Sequence, residues 1–215
     1  MLRSTFVERL ERWLLPLILL LGLALRIWNV ARRDFWYDEA YTAIVVRDSV
    51  QGMLAQLTHD VHPPLYFFAV KIFFAFVGQN VFSVRFISVL FGVLGIVAAY
   101  LFTKELFNRR AALVASFLCA ISPFLIEYSQ EARMYAMYGF WVLMAGFFFL
   151  RALRLDRWRD AILCGVWLGA AWLTHYMSFL FLPVFYLVHL VWRIRFQART
   201  KKRWWDRLDL LRAFL

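Results

Sequence analysis

The sequence predicts an all-α, polytopic transmembrane protein, and three observations carry that prediction. Hydrophobic residues make up 63% of the 215, aromatic residues 20%, and the mean hydropathy is +0.63, outside the soluble globular range. The apolar residues fall into runs, several near the roughly 20 residues a bilayer-crossing helix needs, separated by charged and polar clusters. The Lys and Arg residues behind the net charge of +11 gather in short patches between those runs. Positive-inside loops have that distribution, and it excludes nucleic acid as the partner.

Taken in order, residues 13–32 hold the first span, with its apolar stretch at Trp13–Ile27. Arg3, Arg9 and Arg12 precede it as in a secretory signal, but no small-residue cleavage site follows, so it reads as a retained span. Residues 33–81 form an outer loop. Five further spans fill 82–193, with cores at 82–106, 111–126, 136–153, 161–173 and 179–192. The last two are short and joined by a tight hairpin at 174–178. Cys119 and Cys164 lie inside apolar runs as small hydrophobes and indicate neither a disulfide nor a metal site.

Leu65–Val77 decides the topology. As a helix it is only about 20 Å long, it carries Lys71 at its centre, and Pro63-Pro64 gives it a helix start. If it lies flat, the patches at Lys104, Arg109 and Arg110, at Arg151 to Arg159, and from Arg193 onward all share the side of the N-terminus. If it spans, all of them move outside, against the positive-inside rule. It is therefore assigned as an interfacial helix. A second surface helix is expected nearby, with Val46, Val50, Met53, Leu54 and Leu57 on one face. The result is six spans, two interfacial helices on the outer face and both termini cytoplasmic. Residues 194–215, with Lys201-Lys202-Arg203-Trp204-Trp205, form a basic membrane-surface segment.

The outer pieces carry the chemistry. Asp38-Glu39 stands between aromatics just past the first span, where a partly desolvated carboxylate can act as a general base. Equally, Asp38 can cap a surface helix starting at Glu39, with Glu39 favouring its dipole. His59, Asp60 and His62 can bind a divalent ion or phosphate, or can simply form the turn before Pro63. Glu127, Glu131 and Tyr135 are four apart and are expected on one helix face. Arg133 points elsewhere and suits a phosphate leaving group, unless it snorkels beside Glu131. His175, in the third outer turn, is a phosphate contact or a polar turn residue. No GxGxxG, P-loop, metal-spaced Cys/His set or G-x-S-x-G elbow is present, so an activated substrate would come from the membrane.

Together the motifs resemble a known family. Trp36-Tyr37-Asp38-Glu39-Ala40-Tyr41, His62-Pro63-Pro64-Leu65-Tyr66, Ser83-Val84-Arg85-Phe86-Ile87-Ser88 and Tyr128-Ser129-Gln130-Glu131-Ala132-Arg133-Met134-Tyr135 stand in the order found in polyprenyl-phosphate-dependent membrane glycosyltransferases of the GT-C fold. The nearest branch is the bacterial relatives of the dolichyl-phosphate-mannose protein mannosyltransferases, glycosyltransferase family 39-like, and the lipid A aminoarabinose transferases. The resemblance implies a sugar on polyprenyl phosphate, moved with inversion to a protein, lipid or glycan acceptor on the outer face. It implies Asp38 as the essential acid, Glu39 beside it, and Glu131 and Arg133 as the patch on the second outer loop. His62, Tyr135 and His175 complete the expected substrate contacts. A divalent metal ion is left open, since some relatives use one and others do not. Such enzymes continue beyond the length seen here, so 1–215 reads as a single membrane domain, the N-terminal half of a larger architecture, completed by a C-terminal half or a partner subunit. The alternative is a non-catalytic membrane subunit or fragment that binds lipid-linked sugar. An ion-coupled transporter would need carboxylates within the spans, and these lie in loops and at span ends.

Overall fold

The computed structural model describes residues 2–60 and 62–194, and all regular structure among them is helical. The basic segment expected over 194–215 lies outside the described residues apart from Ile194. The helices are α1 (Leu2–Ile27), α2 (Tyr37–Val45), α3 (Val50–Leu57), α4 (Leu65–Val77), α5 (Val81–Leu106), α6 (Arg109–Ile121), α7 (Pro123–Gln130), α8 (Tyr135–Leu155), α9 (Trp158–Trp172) and α10 (Phe181–Trp192), with a 3-10 turn at Tyr176–Leu180 before α10. By length and composition α5 and α8 can each cross a membrane, and α6 with α7 makes a third if the bent pair is one span. The remaining expected spans are helical where expected but shorter, at Trp13–Ile27, Trp158–Trp172 and Tyr176–Trp192.

Helix α5 is the centre, packed against α1, α4, α6, α7 and α8. Local sequence sets its start. Gly78 ends α4 at φ 81°, a conformation that only glycine adopts freely. Two residues later Asn80 accepts from the Ser83 amide while Ser83 Oγ accepts from the Asn80 amide, each at 2.9 Å, a reciprocal cap.

The span expected over 111–126 is broken, with α6 and α7 meeting at 57°. Pro123 has no N–H to donate to Cys119, so the helix opens, and Ser122 caps the new one. The freed carbonyls are taken by Arg26, which is 1% exposed. Its Nη2 donates to Cys119 O at 3.0 Å, its Nη1 to Ala120 O at 3.1 Å and its Nε to Ser129 Oγ at 3.1 Å. In return the Gln130 amide donates to the carbonyls of Leu25, Arg26 and Trp28 at the end of α1. Two helix ends thus satisfy each other in a region where water is scarce.

Three helices, rather than two, cover one end of the bundle. The expected helix through Val46 to Leu57 is interrupted after Val45 and restarted by Ser49, whose hydroxyl accepts from the Gly52 amide. Val46, Met53 and Leu57 are buried as expected, whereas Val50 and Leu54 are exposed. Beneath lies α4, burying Tyr66, Phe67, Val70 and Phe74. Lys71 explains itself here: its ammonium donates to the carbonyls of Val46 and Asp48, just past the end of α2.

One buried ion pair fastens this cover to α5. Arg85 donates through Nε and Nη2 to the two Glu39 oxygens, each at 2.7 Å, with exposures of 2% and 1%. Its remaining donors reach the carbonyls of Val30 at 2.7 Å, Arg33 at 2.9 Å and Asp34 at 3.1 Å. All five guanidinium N–H groups are engaged. Glu39 Oε1 also accepts from the Ala132 amide at 2.7 Å, bringing the loop after α7 to the same point.

Removing one partner of such a pair strands the other charge, at a cost of about 3–5 kcal/mol. Thermal unfolding of detergent-purified Glu39→Gln should show a loss of that order, and Arg85→Lys a similar one because an ammonium cannot reproduce the fork. An unchanged melting temperature in either would remove the pair from this role. A second comparison tests the α5–α7 contact. A Cβ on Gly92 would lie 2.1 Å from Ser129 Oγ, while one on Gly95 meets nothing within 4 Å. Gly92→Ala should therefore destabilise by about 1–3 kcal/mol, and Gly95→Ala should be neutral or stabilising by up to about 1 kcal/mol.

Candidate active site

The cover gathers most of the residues singled out in the sequence. Asp38 lies in the first turn of α2, whose cap position is Trp36 with no side-chain bond, so Asp38 does not cap the helix as one reading expected. Its carboxylate is one-third exposed and meets Arg133 Nη2 at 3.6 Å. His62 Nε2 also meets Arg133 Nη2, at 3.1 Å. The rings of His62 and His175 lie edge to face at 6.1 Å, and Tyr135 and Tyr138 flank His175 at 6.3 and 5.3 Å. The Arg133 guanidinium stands 6.0 Å from the Tyr135 ring centroid. Three separate parts of the chain therefore converge on one cation.

Arg133 owes its position to its backbone. Helix α7 ends at Gln130, and Glu131 is extended (φ −97°, ψ 141°), so Glu127, Glu131 and Tyr135 do not share the helix face expected of them. The turn buries Ala132 and Met134 completely and tethers the Ala132 amide to Glu39. Ser88 Oγ donates to Arg133 O at 2.9 Å and so receives its own bond, at 2.8 Å, from the Tyr66 hydroxyl. Arg133 is itself 3% exposed, and its Nε has no hydrogen-bond partner among the described residues. A buried guanidinium with an unpartnered N–H is uncommon, and a guanidinium is the side chain best suited to pair with an anion.

The surrounding groups are tuned by burial. Desolvation, then the neighbouring His62 and the Arg133 charge, pull the His175 pKa below its ordinary value, so it is neutral near pH 7. Its Nδ1 accepts from the Met177 amide, which leaves the proton on Nε2. Glu131 is pushed up by desolvation, reinforced by Glu39 and Glu127. Glu39, expected beside Asp38 as part of the chemistry, faces the other way with both oxygens committed to Arg85 and Ala132. Among the described residues no three His, Cys, Asp or Glu side chains come together to hold a metal ion. Asp38 and His62 both face a fixed cation, and that arrangement does not fit a divalent ion.

Beside Tyr135 opens an apolar cleft of about 460 Å³ between α5, α7 and α8, lined by Gly92, Gly95, Leu125, Tyr128, Tyr138 and Gly139 among others. Sequence reasoning missed this cleft and the parts of Arg85, Ser88 and Tyr66. Arg85 and Tyr66 stood inside recognised motifs, and an arginine inside an apolar run was the available signal.

Comparison with known proteins bears on the fold and the family. Comparison with curated proteins gives no significant match. The crystal structure of the Archaeoglobus fulgidus oligosaccharyltransferase in the apo form superposes with a TM-score of 0.66 at 22% identity, over 84% of this chain and 25% of that one. The same enzyme tethered to an acceptor peptide containing the NVT sequon gives 0.65 at 21% identity, over 84% of this chain and 26% of that one. The chain thus has the GT-C-type helical fold and spans about a quarter of the length of the structures it matches. A family model described as dolichyl-phosphate-mannose-protein mannosyltransferase matches residues 61–207. The chain belongs to that membrane glycosyltransferase family.

Proposed function

We propose that the chain carries the front part of an inverting glycosyltransferase that takes a sugar from a polyprenyl-phosphate donor and passes it to an acceptor hydroxyl or amine on the outer face. The observation that carries this reading is the pairing of a part-exposed Asp38 with a buried, incompletely bonded Arg133. An Asp38 carboxylate takes the acceptor proton as the acceptor attacks the anomeric carbon. The bond from that carbon to the phosphate oxygen breaks, and its electrons leave as phosphate charge. Arg133 sits ready to neutralise that charge, with His175 Nε2–H and Tyr135 alongside. Before a donor arrives, Arg133 holds Asp38. A bound phosphate competes for the guanidinium and frees the carboxylate to act as base.

The adjoining cleft supports a lipid-linked donor, because an apolar chain leaving the phosphate has a greasy path between α7 and α8. The basic patches at Lys104 to Arg110 and Arg151 to Arg159 lie at the end of α5 and α8 opposite the site, which supports an outer-facing site and cytoplasmic termini. A polytopic arrangement of six spans agrees with this sidedness. Glu39 positions α2 rather than touching substrate.

Asp38→Asn should abolish transfer of radiolabelled sugar from polyprenyl phosphate in membranes, with the protein present at wild-type level and melting temperature. Retained transfer removes Asp38 from the mechanism. Arg133→Ala should weaken donor binding about tenfold or more, the loss expected for a charge-assisted contact. Donor binding by the wild-type chain without any transfer would favour the alternative of a subunit or fragment that binds lipid-linked sugar.

A further inference from the structure

Four side chains around the site, Asp60, His62, Arg133 and Asp38, are linked in series, with Tyr41 beside them. Asp38 and Tyr41 lie one turn apart on α2. The Tyr41 hydroxyl lies close to the Asp60 carboxylate, and Asp60 Oδ1 meets His62 Nδ1 at 3.0 Å. His62 Nε2 meets Arg133 Nη2 at 3.1 Å, and Arg133 Nη2 returns to Asp38 Oδ2 at 3.6 Å. The chemistry of these groups fixes the direction of every proton. A guanidinium only donates, so Nε2 of His62 must accept. A neutral imidazole then carries its proton on Nδ1, and a carboxylate that only accepts is what Nδ1–H faces. The opposite tautomer would set one N–H against another at 3.1 Å.

We propose that Asp60 is a positioning residue for the transfer reaction. By holding His62 in the Nδ1–H tautomer it keeps a lone pair on Nε2 for Arg133, and this holds the guanidinium in place for the donor phosphate. Burial and the Asp60 carboxylate raise the Tyr41 pKa, which keeps its hydroxyl protonated as a donor. The proposal rests on the reading of Arg133 as the phosphate contact. Asp60 never touches substrate in this scheme, and its effect passes wholly through the imidazole. An asparagine at 60 removes that control, because its amide can donate to Nδ1 and drive the proton to Nε2.

The test uses the full chain in nanodiscs and farnesyl methyl phosphate, a phosphodiester whose charge does not change near neutral pH, with affinity read by calorimetry. Asp60→Asn should lose about tenfold in affinity, as should His62→Ala. His62→Gln, whose side-chain oxygen can occupy the place of Nε2, should recover part of that loss. In the His62→Gln background Asp60→Asn should cost nothing further, since no tautomer remains to be set. Nitrogen chemical shifts of labelled histidine should show His62 protonated on Nδ1 in the wild type and on Nε2 in Asp60→Asn. An Asp60→Asn protein that binds like the wild type overturns the proposal. So does one that loses the same tenfold in both backgrounds, or one whose His62 tautomer is unchanged. If wild type and Arg133→Ala bind the probe equally, the phosphate reading fails instead, and the nitrogen shifts alone decide whether Asp60 sets the tautomer.

Discussion

The bond between Glu39 and Arg85 is the constraint on which the rest depends. Both groups are removed from water, which is unfavourable unless every donor and acceptor is matched. Here the match is complete: five N–H groups find two carboxylate oxygens and three carbonyls, and one oxygen takes an amide besides. Because the partners come from α2, α5, the segment after α1 and the loop after α7, satisfying Arg85 fixes the positions of all four. Two of them carry Asp38 and Arg133. The geometry around Asp38 and Arg133 follows from a pair whose own donors and acceptors are fully bonded within the protein.

The same principle recurs at Arg26. Breaking a helix inside an apolar bundle exposes carbonyls, and this chain fills them with a guanidinium from α1. The break turns α7 away from the line of α6 and opens the cleft beside Tyr135. Gly92 permits it, since Ser129 approaches α5 where any side chain would stand. Proline, arginine, serine and glycine, far apart in sequence, thus form one structural unit.

That separation explains what could be read from the sequence and what could not. Hydrophobic runs and the Pro63-Pro64 start of α4 are local, and the helices were legible to within a few residues. Arg133, Asp38, His62, Tyr135 and His175 were legible as candidates because polar residues at the ends of apolar runs are uncommon. Their convergence was not legible, for it depends on contacts between residues 39, 85 and 132 that no periodicity encodes. The kink at Pro123 was missed because hydropathy continues unbroken across it. The helical face of Glu127, Glu131 and Tyr135 failed for a related reason: the Ala132 amide is bonded to Glu39 rather than within the helix, so the turn ends at Gln130.

Asp38 and Glu39 are adjacent and chemically almost alike, yet they have opposite fates. Successive residues on a helix point about 100° apart, so only one of the two can face α5 and its arginine. Glu39 does, and is 1% exposed; Asp38, turned toward Arg133, keeps a third of its side chain in contact with solvent. The base proposed at Asp38 must reach an acceptor and exchange its proton, which a fully bonded carboxylate cannot do. The division of labour is therefore imposed by helix geometry, and interchanging the two side chains would not preserve it. An aspartate at 39 is one methylene short of the fork it must fill.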